Sequence, residues 1–189
     1  MVTHGRTDGP TDRPAGGRAG GRSGGQVLPT ADAVLDLLDS VKDPEVPVLS
    51  VVELGVVRGA EVDGDRVTVT ITPTYSGCPA LQMMEQEITG ALERAGFREV
   101  VVKTVYAPAW TTDWIPESAR EKLRAYGIAP PGAVTSDPMV PLGATVRSAS
   151  CPYCGSANTS RQSEFGSTAC KSLHVCHSCR QPFEHFKSF

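Results

Sequence analysis

Apolar side chains at Val34, Leu37, Leu38 and Val41 recur at helical spacing behind Thr30, a suitable N-cap, and predict an amphipathic helix. Lys42-Asp43-Pro44-Glu45-Val46-Pro47 stops it, because neither proline can continue a helix. Residues 50–60 are apolar and β-branched and read as a strand interrupted by Gly55. Asp63-Gly64-Asp65 is a turn signal, and alternating Val67, Val69 and Ile71 make the half-buried second arm of a hairpin. Pro79 then opens the strongest helix, over 79–95, with Leu81, Met84, Ile88, Leu92 and Ala95 as its buried stripe and Gly96 as its stop. A valine-rich strand follows at Arg98–Tyr106, and a last helix after Trp110 to Ile115 ends at Tyr126-Gly127. The order α-β-β-α-β-α defines an α+β domain over 30–128: a small mixed sheet with packed helices.

Composition changes this picture at both ends. Residues 1–29 hold eight glycines and almost no bulky apolar side chains, so they predict a disordered Gly/Pro/Arg-rich extension. Residues 129–146 are Pro/Gly-rich and predict a linker to a module at 147–189. The formal charge of −3 is segregated: four Arg against two Asp in 1–30, nine Lys/Arg against 17 Asp/Glu in 31–146, five against two in 147–189. An acidic middle repels a phosphate backbone, which argues against nucleic acid as a partner. No apolar run reaches the roughly 18 residues that span a bilayer, and no short apolar stretch follows a basic start as in a secretory leader. The expected compartment is the reducing cytoplasm.

The module at 147–189 carries the clearest chemistry. Cys151-Pro-Tyr-Cys154 and Cys176-His-Ser-Cys179 are two C-x-x-C pairs separated by 21 residues. Two such knuckles facing one another present four thiolates, the donor set of a structural Zn²⁺ ribbon with Zn–S bonds of about 2.3 Å. Iron or an iron–sulfur cluster can use the same four sulfurs. The fold expectation is thus an α+β domain followed by a small zinc ribbon. Cys170, six residues before Cys176, is expected near that site but unligated, with the His177 ring pointing outward from its knuckle.

Cys78 is the other residue with reactive potential. At the start of the 79–95 helix, free N–H groups and the helix dipole favour a thiolate, which predicts a lowered pKa. The competing reading is a buried cysteine serving as a small apolar side chain. Asp43 and Glu45 are candidate helpers for a cation, although turn chemistry explains them more readily. Asp113 is expected to cap the last helix, and Trp110 and Trp114 to pack.

Asp43-Pro44-Glu45, Glu53-Leu54-Gly55-Val56-Val57 and Tyr75-Ser76-Gly77-Cys78-Pro79 resemble the signature of a small α+β family associated with iron–sulfur cluster assembly, which includes SufT. The family's usual Asp-Leu-Gly is Glu53-Leu54-Gly55 here, which keeps the charge and changes its reach. Trp110-Thr111-Thr112-Asp113-Trp114-Ile115, Phe165 to Lys171 and Pro182 to Lys187 extend the resemblance to the PaaD family, encoded with the phenylacetyl-CoA 1,2-epoxidase. The resemblance implies an accessory subunit in aerobic phenylacetate catabolism, working with a di-iron oxygenase component, a flavin and [2Fe–2S] reductase, and iron–sulfur assembly proteins. It implies help in building or maintaining their iron centres, and Cys78, a lone cysteine at a helix start beside a separate four-thiol site, is the candidate contact for transient iron or a cluster. A purely structural docking subunit is the alternative. The chain has no Glu-x-x-His pair, dinucleotide fingerprint or P-loop, so non-catalytic work fits its residues better.

Overall fold

Thr30 adopts extended backbone and takes the Ala33 N–H on its side chain, starting helix α1 at Ala31–Leu38. It does so in a computed structural model that describes residues 29–75, 77–132 and 149–189. The expected extension therefore lies outside the described residues except for Pro29, as does most of the expected linker. Helix α1 buries Val34 and Leu38 completely.

Residues 50–60 do not run as one strand. The Ser50 N–H donates to Glu53 Oε2 at 3.0 Å while the Glu53 N–H donates to Ser50 Oγ at 2.9 Å. This reciprocal capping box outweighs the β-branched composition and winds 50–55 into turns. Gly55 closes them with φ +75°, and an added Cβ would sit 3.0 Å from the Trp114 Cβ. Only then does β1 begin, at Val57–Asp63, and pair antiparallel with β2, Arg66–Ile71. A bulge near Arg58 lets its guanidinium lie 3.5 Å above the Trp114 ring.

Helix α2, Leu81–Arg94, crosses over to β3, Glu99–Thr104, which pairs parallel with β2 in the order β1-β2-β3. The sheet is therefore mixed. Val67, Val69 and Ile71 of the central strand are fully buried against Met84, Ile88 and Leu92 of α2 and Val34 and Leu38 of α1. Each such side chain contributes roughly 1.5–3 kcal/mol of transfer free energy. A 3₁₀ turn at Thr112–Trp114 precedes α3, Glu117–Tyr126. Asp113 lies inside that turn, which Thr111 caps, while Pro116 holds the N-cap position of α3; Asp113 is therefore not the cap of the last helix.

The cysteine-rich module packs directly onto this domain. Ile128–Ala129, at the expected start of the linker, forms β4 and pairs parallel with β7, Pro182–Phe186. With β5, Thr159–Ser163, and β6, Lys171–Cys176, they make a second sheet in the order β4-β7-β6-β5. Phe186 is fully buried in the main core, its ring 6.1 Å from that of Trp110. The Trp110 indole N–H donates to the Leu54 carbonyl at 3.1 Å, so the tryptophan packs, as expected. The Phe189 carbonyl accepts from the Thr111 hydroxyl at 2.9 Å and the Thr112 N–H at 3.3 Å. Arg120 spreads its guanidinium over the carbonyls of Thr112, Ile115 and Pro131.

Candidate functional site

The four ribbon cysteines come together. Cys151 and Cys179 sulfurs are 3.7 Å apart and those of Cys154 and Cys176 are 3.6 Å apart, with all four within 4.8 Å of one another. A tetrahedron with 2.3 Å bonds has edges of about 3.8 Å, so the spacing fits a single thiolate-bound metal ion. Each knuckle closes on a left-handed residue, Gly155 at φ +72° and Arg180 at φ +64°. The N–H groups of Gly155 and Arg180 donate to the carbonyls of Cys151 and Cys176, both at 2.9 Å. Backbone N–H groups of Cys179 and Ser178 bring the Cys176 thiol down to about 6. Among the described residues this is the one group of three or more metal-ligating side chains drawn that tightly together. His177 is exposed, as expected of a ring on the outside of a knuckle, and faces the Ser160 hydroxyl at 3.0 Å.

Cys170 is not beside this quartet. It precedes β6 and Cys176 ends it, so an extended strand of six residues separates them by roughly 20 Å. Cys170 is instead 3% exposed within the main core, and its thiol points at Glu45 Oε2, 3.6 Å away. Burial next to that carboxylate pushes it up to about 11.

Cys78 lies in the loop before α2. Its N–H donates to the Tyr75 carbonyl and its own carbonyl accepts from the Leu81 N–H, each at 3.2 Å. The sequence predicts a lowered pKa here; the structure reverses the sign. Burial raises it, the Glu45 and Asp43 charges raise it further, and the N–H groups of Ala80 and Leu81 do not compensate. The half-buried thiol is therefore protonated at neutral pH.

Asp43 and Glu45 share one loop with different duties. Asp43 Oδ1 accepts from the N–H groups of Glu45 at 2.8 Å and Val46 at 2.7 Å, an Asx turn that sets the loop's shape. Burial holds its carboxyl above the ordinary range. Glu45, half-buried, turns its carboxylate to Cys170, and burial raises its pKa too. Tyr75 joins the group: burial lifts its phenol, and the charges of Cys78, Glu45 and Cys170 all act on it. One neighbourhood thus contains two thiols, two carboxylates and a phenol. Their ligand atoms are not gathered within 4.8 Å as the quartet's are.

Nothing local in the sequence ties Lys171, Glu184 or Cys170 to this group, because their partners lie far along the chain. Lys171, 4% exposed, donates to the Glu45 carbonyl at 3.2 Å and pairs with Glu184 at 3.0 Å. A cluster of valines or a C-x-x-C pair announces itself locally; a contact across 125 positions does not.

Two family profiles match this chain. One, described as iron-sulfur cluster assembly protein, matches residues 31–105, and the other, described as PaaD zinc beta ribbon domain, matches 135–187. The molecule is thus a cluster-assembly α+β domain joined to a metal-binding ribbon. An Escherichia coli protein, provisionally named as one of the subunits of 1,2-phenylacetyl-CoA epoxidase, is 45% identical over 159 residues, covering 84% of this chain and 93% of that protein. The chain belongs to the PaaD family. Two Fe-S protein maturation auxiliary factors each match about half of this chain. The Porphyromonas gingivalis protein is 32% identical and covers 52% of this chain and 94% of its own length. The Bacillus subtilis protein, YitW, is 33% identical and covers 48% and 89%. No described helix is long and apolar enough to cross a membrane.

Proposed function

We propose that this chain is a non-catalytic accessory component of a phenylacetyl-CoA 1,2-epoxidase system that assists assembly or maintenance of the system's iron or iron–sulfur centres. Its partners are then the oxygenase and reductase subunits, together with iron–sulfur assembly proteins, in a reducing cytoplasm. The quartet of Cys151, Cys154, Cys176 and Cys179 takes a structural Zn²⁺, which their tetrahedral sulfur spacing fits. Cys78 is the contact for transferred iron or a cluster, Glu45 the neighbouring carboxylate, and Asp43 the residue that shapes their loop.

The observation that carries this reading is the contrast between four sulfurs gathered at metal-binding distance and a single half-buried thiol, Cys78, that keeps its proton. The quartet has its sulfurs at metal-binding distance, as a resident ion needs. Cys78 keeps its proton until a cation displaces it, so its hold on metal competes with that proton and is reversible. A site that hands metal on must release it.

The test is made in cells that depend on the epoxidase. Replacing the gene with Cys78→Ala should lower reductase [2Fe–2S] content and epoxidase activity together, with the abundance of every component unchanged. Full cluster content in that strain would remove the assembly reading and leave a docking role, in which the chain should co-purify with the oxygenase irrespective of Cys78.

A further inference from the structure

Each of the two sheets ends in two edge strands, and three of these four edges are interrupted or short. β1 has the bulge near Arg58, β5 has one between Arg161 and Ser163, and β4 is two residues long. Such devices keep a sheet from pairing with another chain. β3 has none of them. Its six residues keep an unbroken register with β2, and among the described residues no strand pairs with its other side. The Glu99 N–H donates to the Asp65 carbonyl and the Val105 N–H to the Ile71 carbonyl. Alternate residues of a parallel strand bond to the same neighbour, so Glu99, Val101 and Lys103 bond inward to β2. Val100 and Val102 therefore turn their N–H and C=O groups to the open edge. Their side chains pack toward the core, while Glu99 and Lys103, both exposed, lie with Val101 on the opposite face. A groove lined by Gln82, Gln86, Thr89 and Gly90 of α2 runs beside Val102.

We propose that the free edge of β3 is an interface for a second copy of this chain, joining two three-stranded sheets into one of six across a two-fold axis. Register selects this occupant. Only groups that face the open edge can exchange hydrogen bonds, and the antiparallel register that pairs Val100 with Val102 uses both residues in both copies. It sets Val101 against Val101 at the axis and Glu99 against Lys103 on either side of it. These are positions without hydrogen bonds between them, where facing side chains approach most closely and opposite charges stabilise the pair. A shift of two residues either way sets Glu99 against Val101 or Val105 and forfeits both ion pairs. A shift of one residue turns bonded groups toward the partner and leaves the edge unpaired. The strand is thus complementary to itself, as a two-fold contact requires and a contact with an unrelated chain does not. Arg66 already pairs with Glu99 at 3.2 Å, so the second copy's Lys103 completes a row of alternating charge. Paired residues point to the same side of a sheet, which places both α2 helices on one face of the joined sheet.

The experiment uses the full chain, zinc-loaded and reduced, in sedimentation equilibrium over a wide range of concentration. The wild type should dimerise reversibly. Amide exchange at Val100 and Val102 should slow as the wild-type chain is concentrated, a readout independent of how any variant folds. Lys103→Glu sets a glutamate against Glu99 twice and should weaken dimerisation about tenfold. Glu99→Lys should do the same by setting lysine against lysine. Mixing the two variants should restore association to the wild-type level, because each glutamate then faces a lysine again. A wild type that stays monomeric overturns the proposal, as does a dimer in which Val100 and Val102 exchange as fast as in the monomer. A dimer that both variants form as well as the wild type places the contact elsewhere and overturns it too. Variants that remain apart when mixed overturn the register, and with it the interface.

Discussion

At one end of strand β6, four sulfurs stand 3.6–3.7 Å apart in pairs, in knuckles that supply N–H groups to them. At its other end, Cys170 is buried against a carboxylate and its thiol is pushed up to about 11. The strand thus ends on a thiol prepared for deprotonation, Cys176, and follows one prepared against it, Cys170. The difference follows from what surrounds each sulfur. Knuckle backbone turned inward stabilises thiolate, whereas apolar burial beside Glu45 destabilises it. A permanent structural metal is served by the first arrangement.

The largest effect should come from breaking the quartet. Cys176→Ser removes a ligand whose site, by analogy with small zinc modules, contributes on the order of 10 kcal/mol to folding. We expect zinc loss and rapid amide exchange throughout β5, β6 and β7. Because Phe186 and β4 tie the ribbon to the main core, thermal unfolding of the remaining domain should move down as well. A ribbon that keeps slow exchange without metal would show that its packing on the core suffices. Trp110→Ala attacks the interface instead, where the indole meets Phe186, Phe189 and the Leu54 carbonyl. It should cost about 3–5 kcal/mol in denaturant unfolding and leave zinc content unchanged. Zinc loss in this variant would mean that the quartet depends on docking.

That interface also marks the boundary of what the sequence makes legible. The hairpin, the β2-α2-β3 crossover and the quartet follow from local signals: alternation, helical stripes and C-x-x-C spacing. The turns at 50–55 are hidden by β-branched residues, although Ser50 and Glu53 stand at capping-box spacing. Glu53 is correspondingly engaged in fold support, with Lys122 as its salt-bridge partner. Cys78 shows a different limit. Its place before a helix is evident, but the sign of its pKa shift depends on burial and on Glu45 and Asp43, more than 30 positions earlier. Cys170 shows the limit most clearly, since nearness to Cys176 in sequence becomes distance once the intervening residues extend as a strand.

An intermediate effect separates the two thiol environments by pH. Cys170 has a raised pKa in the folded chain, about 11, against an ordinary value of 9.0. Between those values the native state binds more protons than the unfolded one, so stability falls as pH rises. The contribution is fully present below pH 9 and should decline by about 2–3 kcal/mol by pH 11. Urea midpoints for wild type and Cys170→Ala should therefore converge or cross over this window. Parallel curves would show that the thiol is more solvated than its 3% exposure indicates.

The smallest effect compares the two knuckles with each other. Both use a left-handed residue after the second cysteine, but one has Gly155 and the other Arg180, at φ +72° and +64°. An L side chain in that region costs roughly 1–2 kcal/mol, which glycine avoids. The Arg180 side chain is exposed, while its N–H donates to the Cys176 carbonyl and survives substitution. Arg180→Gly should accordingly stabilise the zinc-loaded chain by about 1 kcal/mol, offset in part by glycine's greater freedom when unfolded. The measurement is competition with a chelator, in which the variant should hold zinc at higher chelator concentrations. Earlier release would assign Arg180 a role through its charge near the thiolates, and the strained backbone would then be the cost of keeping a cation there.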